Sequence, residues 1–151
     1  MKGTILVVDD EPGVVEIAQV NLEPEGYTVI GASDGLEGLG KIGSAKPDLV
    51  LLDIMMPQMD GWEMLRRMEA DPEMAGIPVI MLTAKTQNED ILRGLEGGAV
   101  EYITKPFYPE NLVASVRIIL EAFDPRLRQG WRENLIARRK RLMAIRWTKS
   151  T

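Results

Sequence analysis

Residues 4–10 read Thr-Ile-Leu-Val-Val-Asp-Asp, an apolar run that stops on two carboxylates. The same design recurs at Leu49 to Leu52 before Asp53, at Val79 to Leu82 before Thr83, and at Tyr102 to Thr104 before Lys105. Short runs that stay apolar instead of alternating read as strands buried on both faces, the mark of a parallel sheet. Open α/β sheets hold their ligands just beyond the carboxyl ends of the strands. The pattern therefore predicts that three carboxylates (Asp9, Asp10, Asp53), the Thr83 hydroxyl and the Lys105 ammonium meet at one edge.

Around these runs the chain alternates between two periodicities. Strands are predicted near 4–8, 27–32, 49–53, 79–83 and 101–104, and helices near 12–24, 35–44, 61–70, 88–97 and 109–122. Five βα units of this kind argue for a parallel sheet covered by helices on both faces and joined by right-handed crossovers. The punctuation agrees. Pro12 suits a first helical turn, Gly26 ends the first helix, Pro47 stops the second, and Asn88 with Glu89 and Asp90 starts the fourth. The second helix reads as the weakest and most mobile, because Gly38, Gly40 and Gly43 each cost about 1 kcal/mol relative to Ala in a helix interior.

The chain has 151 residues, enough for one domain with a real core plus an appendage. Hydrophobic residues make up 45% and charged residues 27%, which suggests neither disorder nor a fibrous class. No apolar stretch is long enough to span a membrane, and the amino terminus lacks a signal-peptide pattern, so a soluble, cytoplasmic chain is expected. There is no Cys and no His, which removes thiolate chemistry, histidine bases and imidazole ligands. Charge is sharply segregated. Residues 1–123 carry nine Lys and Arg against 21 Asp and Glu, net −12, whereas residues 124–151 carry nine against two, net +7. An acidic body gives no support to nucleic-acid binding by the main domain, while the tail suits an acidic partner, a phosphate backbone or its own body. Asp124-Pro125 offers an N-cap followed by Pro, which predicts a sixth, basic and amphipathic helix bearing Trp131, Leu135, Leu142 and Ile145.

Asp9, Asp10 and Asp53 at adjoining strand ends would repel one another and raise the proton affinity of at least one, unless a cation lies among them. Oxygen ligands without His or Cys favour Mg²⁺, or Mn²⁺. Lys105 and Thr83 add a positive charge and a hydroxyl donor suited to the oxygens of a transferring phosphoryl group. A carboxylate in that setting can itself be the nucleophile, giving an aspartyl phosphate.

The segments ILVVDDEP, LVLLDIMMPQMDG, VIMLTA and YITKPF resemble, in order and spacing, the receiver domain of two-component response regulators. The resemblance covers roughly residues 3–122 and implies a flavodoxin-like, doubly wound (βα)5 fold with strand order 2-1-3-4-5, a receiver over 1–123 and a helical tail over 124–151. It implies that Asp53 is the phosphoacceptor. Asp10, Asp53 and the main-chain carbonyl of Met55 would bind Mg²⁺, with Asp9 holding a metal-bound water. Thr83 and Tyr102 would be the switch pair, Lys105 would bind the phosphoryl group, and the Lys105–Pro106 peptide would be cis. The implied donor is a sensor histidine kinase or phosphotransfer protein. The implied output is a change on the surface of the fourth helix, fifth strand and fifth helix, read by a downstream protein partner. Such a chain is a phosphoacceptor that assists its own phosphorylation and dephosphorylation, not an enzyme acting on a separate substrate.

Two departures bear on that expectation. Acids and bases that recur in the subfamily dimerising on this surface are replaced by Val100 and Ser115, and Met55 offers no polar group to guide an attacking water, which hints at a longer-lived phosphoryl group.

Other classes compete. Gly35 to Lys41 fits G-x-x-x-x-G-K, yet a P-loop NTPase needs Ser or Thr where this chain has Ile42. A haloacid-dehalogenase-type phosphatase needs a second Asp where Met55 stands. The third class is a phosphorylation-independent binding module. Arg138 to Arg141, with Trp131 and Trp147 nearby, would contact nucleic acid or an anionic membrane, or dock on the body or on a second copy to give a homodimer. At 28 residues the tail is too short for a winged-helix or cyclase output domain, leaving a stand-alone receiver or the front of a longer chain.

Overall fold

In the computed structural model the described residues are 2–84 and 88–122, with Gly130, Glu133, Asn134, Ile136, Ala137, Lys140 and Arg141 from the tail. The strands are β1 (Gly3–Val8), β2 (Tyr27–Ala32), β3 (Leu49–Asp53), β4 (Val79–Thr83) and β5 (Glu101–Thr104). The helices are α1 (Pro12–Leu22), α2 (Gly35–Ala45), α3 (Gly61–Ala70), α4 (Asn88–Glu96) and α5 (Pro109–Ala122). All strand pairs are parallel, in the order β2-β1-β3-β4-β5.

Because side chains alternate across a sheet, each apolar run feeds two cores. Ile5, Val7, Leu49, Leu51, Ile80 and Leu82 face one way and are covered by Val14, Ala18 and Leu22 of α1 and Leu112, Val116 and Ile119 of α5. Leu6, Val8, Val50, Leu52, Val79 and Met81 face the other way and are covered by Ile42 of α2 and Met64, Leu65 and Met68 of α3. Runs that are apolar on both faces are therefore required.

The helix boundaries have local causes. Asp34 and Asp60 cap α2 and α3 by accepting the N–H groups of Glu37 and Glu63 at 2.8 and 2.9 Å. The first helix ends at Leu22, short of the expected residue 24, and Glu23–Glu25 form a single 3-10 turn. Pro24 there lacks the N–H that another α-turn needs, and Gly26 at φ 103° turns the chain into β2. In α2 the glycines differ: a Cβ on Gly38 would lie 3.0 Å from Val8 Cγ2 and Met64 Cε, whereas Gly40 and Gly43 face open space. The described tail residues are helical; Asp124, Pro125, Trp131, Leu135, Leu142, Ile145 and Trp147 lie outside the described residues.

Candidate functional site

Register assembles the site. Val8 pairs with Leu52, so Asp9 and Asp53 emerge side by side one residue further on. Asp53 in turn pairs with Leu82, which sets Thr83 one step beyond it, and Thr83 pairs with Thr104 immediately before Lys105. Backbone bonds hold these ends together, from Asp9 N–H to Ala32 carbonyl at 2.9 Å and from Lys105 N–H to Thr83 carbonyl at 2.7 Å. The predicted edge thus exists: Asp9, Asp53 and Thr83 are buried, Asp10 is exposed, and one carboxylate oxygen from each of Asp9, Asp10 and Asp53 falls within 4.8 Å of the others.

Lys105 Nζ reaches into this cluster, 2.7 Å from Asp9 Oδ2, 3.4 Å from Glu11 Oε1 and 3.6 Å from Asp53 Oδ1. Burial opposes its charge, but close contact with Asp9 and the fields of Asp53 and Glu11 outweigh burial and hold its pKa above the usual lysine value. Asp53 responds in the opposite sense. Burial first, and then repulsion from Asp9, push its carboxyl up to about 6, against the pull of Lys105 and of the Met55 N–H that it accepts. Asp9 Oδ2 is fully buried and, despite its nearness to Lys105, accepts no well-angled hydrogen bond among the described residues. An under-satisfied buried carboxylate oxygen beside a carboxyl of raised pKa fits a cation, and an all-oxygen donor set fits a hard one.

The other predicted residues fall around the cluster. Tyr102 is half-buried and packs with the Met81 core, and the alternation of β4 sets Met81 and Thr83 on that same face. The Met55 side chain is 62% exposed. The Lys105–Pro106 peptide is cis.

Two participants escaped the sequence reading. Glu11 joins the Lys105 contacts, although its place after Asp9-Asp10 was the signal, and its N–H is held by Asp9 Oδ1 at 2.9 Å. Gly61 packs under the end of β3, where a Cβ would sit 2.2 Å from the Asp53 carbonyl oxygen, and its N–H donates to the Ile54 carbonyl at 2.9 Å. Only the Asp60-Gly61 pair hinted at such an approach.

The Gly35 to Lys41 segment forms no loop. It is the start of α2, where Lys41 Nζ bonds the Gly31 carbonyl and pairs with Glu37 Oε1 at 3.1 Å, so its ammonium is engaged within the helix and its neighbouring strand.

A parallel doubly wound sheet with an acidic pocket and a lysine at its carboxyl edge defines a flavodoxin-like α/β domain whose site is built for a cation and an anionic ligand. The family model for the response regulator receiver domain matches residues 5–117, and the chain belongs to that family of two-component signalling domains. It is 42% identical over 120 residues to the DNA-binding dual master transcriptional regulator RpaA of Synechocystis, a match covering 80% of this chain and 50% of that protein. It is 48% identical over 120 residues to the alkaline phosphatase synthesis transcriptional regulatory protein PhoP of Bacillus subtilis, covering 80% of this chain and 49% of the other. The chain thus spans about half the length of these relatives. Among solved structures, the chemotaxis response regulator CheY4 of Vibrio cholerae matches with a TM-score of 0.72 at 32% identity, covering 77% of this chain and 97% of that one. A CheY-like receiver domain protein from Methanospirillum hungatei gives 0.72 at 35% identity, covering 78% and 93%. Among the described residues no helix is long and apolar enough to cross a membrane.

Proposed function

We propose that Asp53 accepts a phosphoryl group from the phosphohistidine of a sensor kinase or phosphotransfer protein. An Asp53 carboxylate oxygen bonds to phosphorus while the N–P bond of the donor breaks, and the departing imidazole keeps the electron pair and takes a proton from solvent. The observation that carries this reading is Lys105 Nζ standing 3.6 Å from Asp53 Oδ1 at a buried, acidic strand edge. With its pKa at about 6, Asp53 is mostly ionised and nucleophilic near pH 7. Asp9, Asp10 and Asp53, with the Met55 main-chain carbonyl, would hold Mg²⁺, for which Mn²⁺ can substitute. When bound, the ion supplies positive charge against the carboxylates and the phosphoryl oxygens.

Lys105 loses its contact with Asp53 as that carboxylate is esterified and turns to the new phosphoryl oxygens, which charge-assisted bonding favours. The Thr83 hydroxyl is drawn to the same oxygens, and Tyr102 follows into the space Thr83 leaves. The result is a change on α4, β5 and α5 that a downstream protein reads in the cytoplasm. Residues 1–123 act as the receiver, which assists both gain and loss of its own phosphoryl group, and 124–151 act as a separate tail. The named relatives are DNA-binding regulators of about twice the matched length; in this reading the chain signals through protein contacts instead.

Intact mass after incubation with acetyl phosphate, with and without Mg²⁺, tests the proposal on wild type and Asp53→Asn. A Mg²⁺-dependent gain of one phosphoryl group that the variant lacks is expected. No gain in wild type, or an equal gain in the variant, overturns it.

A further inference from the structure

The tail meets the body at a defined place. Lys140 Nζ lies 3.6 Å from Glu96 Oε1, at the C-terminal end of α4. Ile136 is half-buried, while Glu133, Asn134, Ala137 and Arg141 around it are exposed. Residues four apart share one face of a helix, so Ile136 and Lys140 form a single stripe, one apolar and one cationic group, turned toward the body.

The flank of α4 that this stripe meets can be deduced. Ile91, Gly94 and Leu95 are buried, and Arg93 lies against α3 with its guanidinium 4.4 Å from the Trp62 ring centroid. With 3.6 residues per turn, Glu96 falls with half-buried Leu92 on the opposite flank, the one facing β5. There β5 is the last strand of the sheet, and Tyr102, Phe107 and Tyr108 line an open groove along it. Reach is no obstacle: α4 and α5 both return toward the amino-terminal edge of the sheet, and a helical segment from Ala122 to Lys140 spans about 27 Å. Charge favours the contact as well, with net +7 on the tail and net −12 on the body. A single exposed ion pair is weak, so the apolar stripe, the summed charge and the tether must act together.

We propose that the Ile136 to Lys140 stripe is an intramolecular ligand of the Glu96 flank of α4, covering part of the α4–β5 face until a partner displaces it. The shielding role rests on the receiver reading above; the seat itself does not. The native chain has no cysteine, so two introduced thiols are the sole pair able to form a disulfide. Full-length chains carrying Glu96→Cys with Lys140→Cys, and as a control Glu16→Cys with Lys140→Cys, are oxidised mildly over a range of protein concentrations and read by non-reducing gel and intact mass. Expected is closure within one chain for the 96/140 pair, at a rate independent of protein concentration and slowed by salt, with little closure for the α1 control. Disulfide-linked dimers alone would assign the tail to a second copy and overturn the proposal. Equal closure of both pairs, or none, overturns it too. This readout needs neither phosphodonor nor Mg²⁺, so its failure is distinct from a failure of the Asp53 chemistry.

Discussion

Asp53 is held in a state that costs the fold something. Its carboxyl is raised to about 6, above the value near 3.9 expected of an unfolded aspartate. The folded chain therefore binds that proton more tightly than the unfolded chain. The resulting destabilisation is absent below about pH 4, grows as pH rises toward 6, and then levels off. Without divalent ions, Asp53→Asn is expected to be more stable than wild type by about 2 kcal/mol at pH 7 and to match it at pH 4. Urea denaturation of both proteins at the two pH values checks this, and a constant difference would contradict it. Lys105→Met tests the opposite partner. It leaves the buried Asp9 carboxylate without its ammonium and is expected to cost about 1–3 kcal/mol, much of it recovered by adding Asp9→Asn, as a double-mutant cycle would read. Asp9, Asp10, Asp53, Thr83 and Lys105 were legible because each terminates an apolar run. Glu11 was not, since an exposed glutamate at the start of a helix carries no signal until Lys105 reaches it from a strand at the far side of the site.

Elements respond to packing that no propensity records. Gly38, Gly40 and Gly43 look alike in sequence, yet only Gly38 lies against Val8 and Met64. Gly40→Ala and Gly43→Ala are each expected to raise stability by about 0.5–1 kcal/mol, with Gly38→Ala gaining less, as thermal melts would show. Gly61 is the stricter case, because a methyl group there would collide with backbone of the strand end that bears Asp53. Gly61→Ala is expected to lose about 1–3 kcal/mol and to slow phosphoryl uptake from acetyl phosphate. Strand register was legible only as alternation; which residue faces which came from pairing, and a slip of one would turn Asp9 and Thr83 to the wrong face.

At the scale of the whole molecule, ion binding and folding are linked. A cation that binds the native acidic pocket but not the unfolded chain stabilises the fold by about 2.7 kcal/mol at a hundredfold excess over its dissociation constant. Mg²⁺ is expected to raise the melting temperature of wild type and to lose most of that effect in Asp10→Asn, measured by calorimetry with and without chelator. The order of elements, the two-faced burial of the strands and the polar residues at their ends could all be read along the chain, because periodicity and punctuation are local properties. Even the charge division between body and tail is visible there. What folding added is distance. Lys105 lies 94 positions from Glu11 and yet within 3.4 Å of it, Asp53 gains its high pKa from burial and from Asp9, and Lys140 finds Glu96 on one particular flank of α4. Those relations depend on sheet order and on how helices lie across it. They arise from contacts between remote segments, and local sequence cannot encode a field or a clash whose source lies elsewhere in the chain.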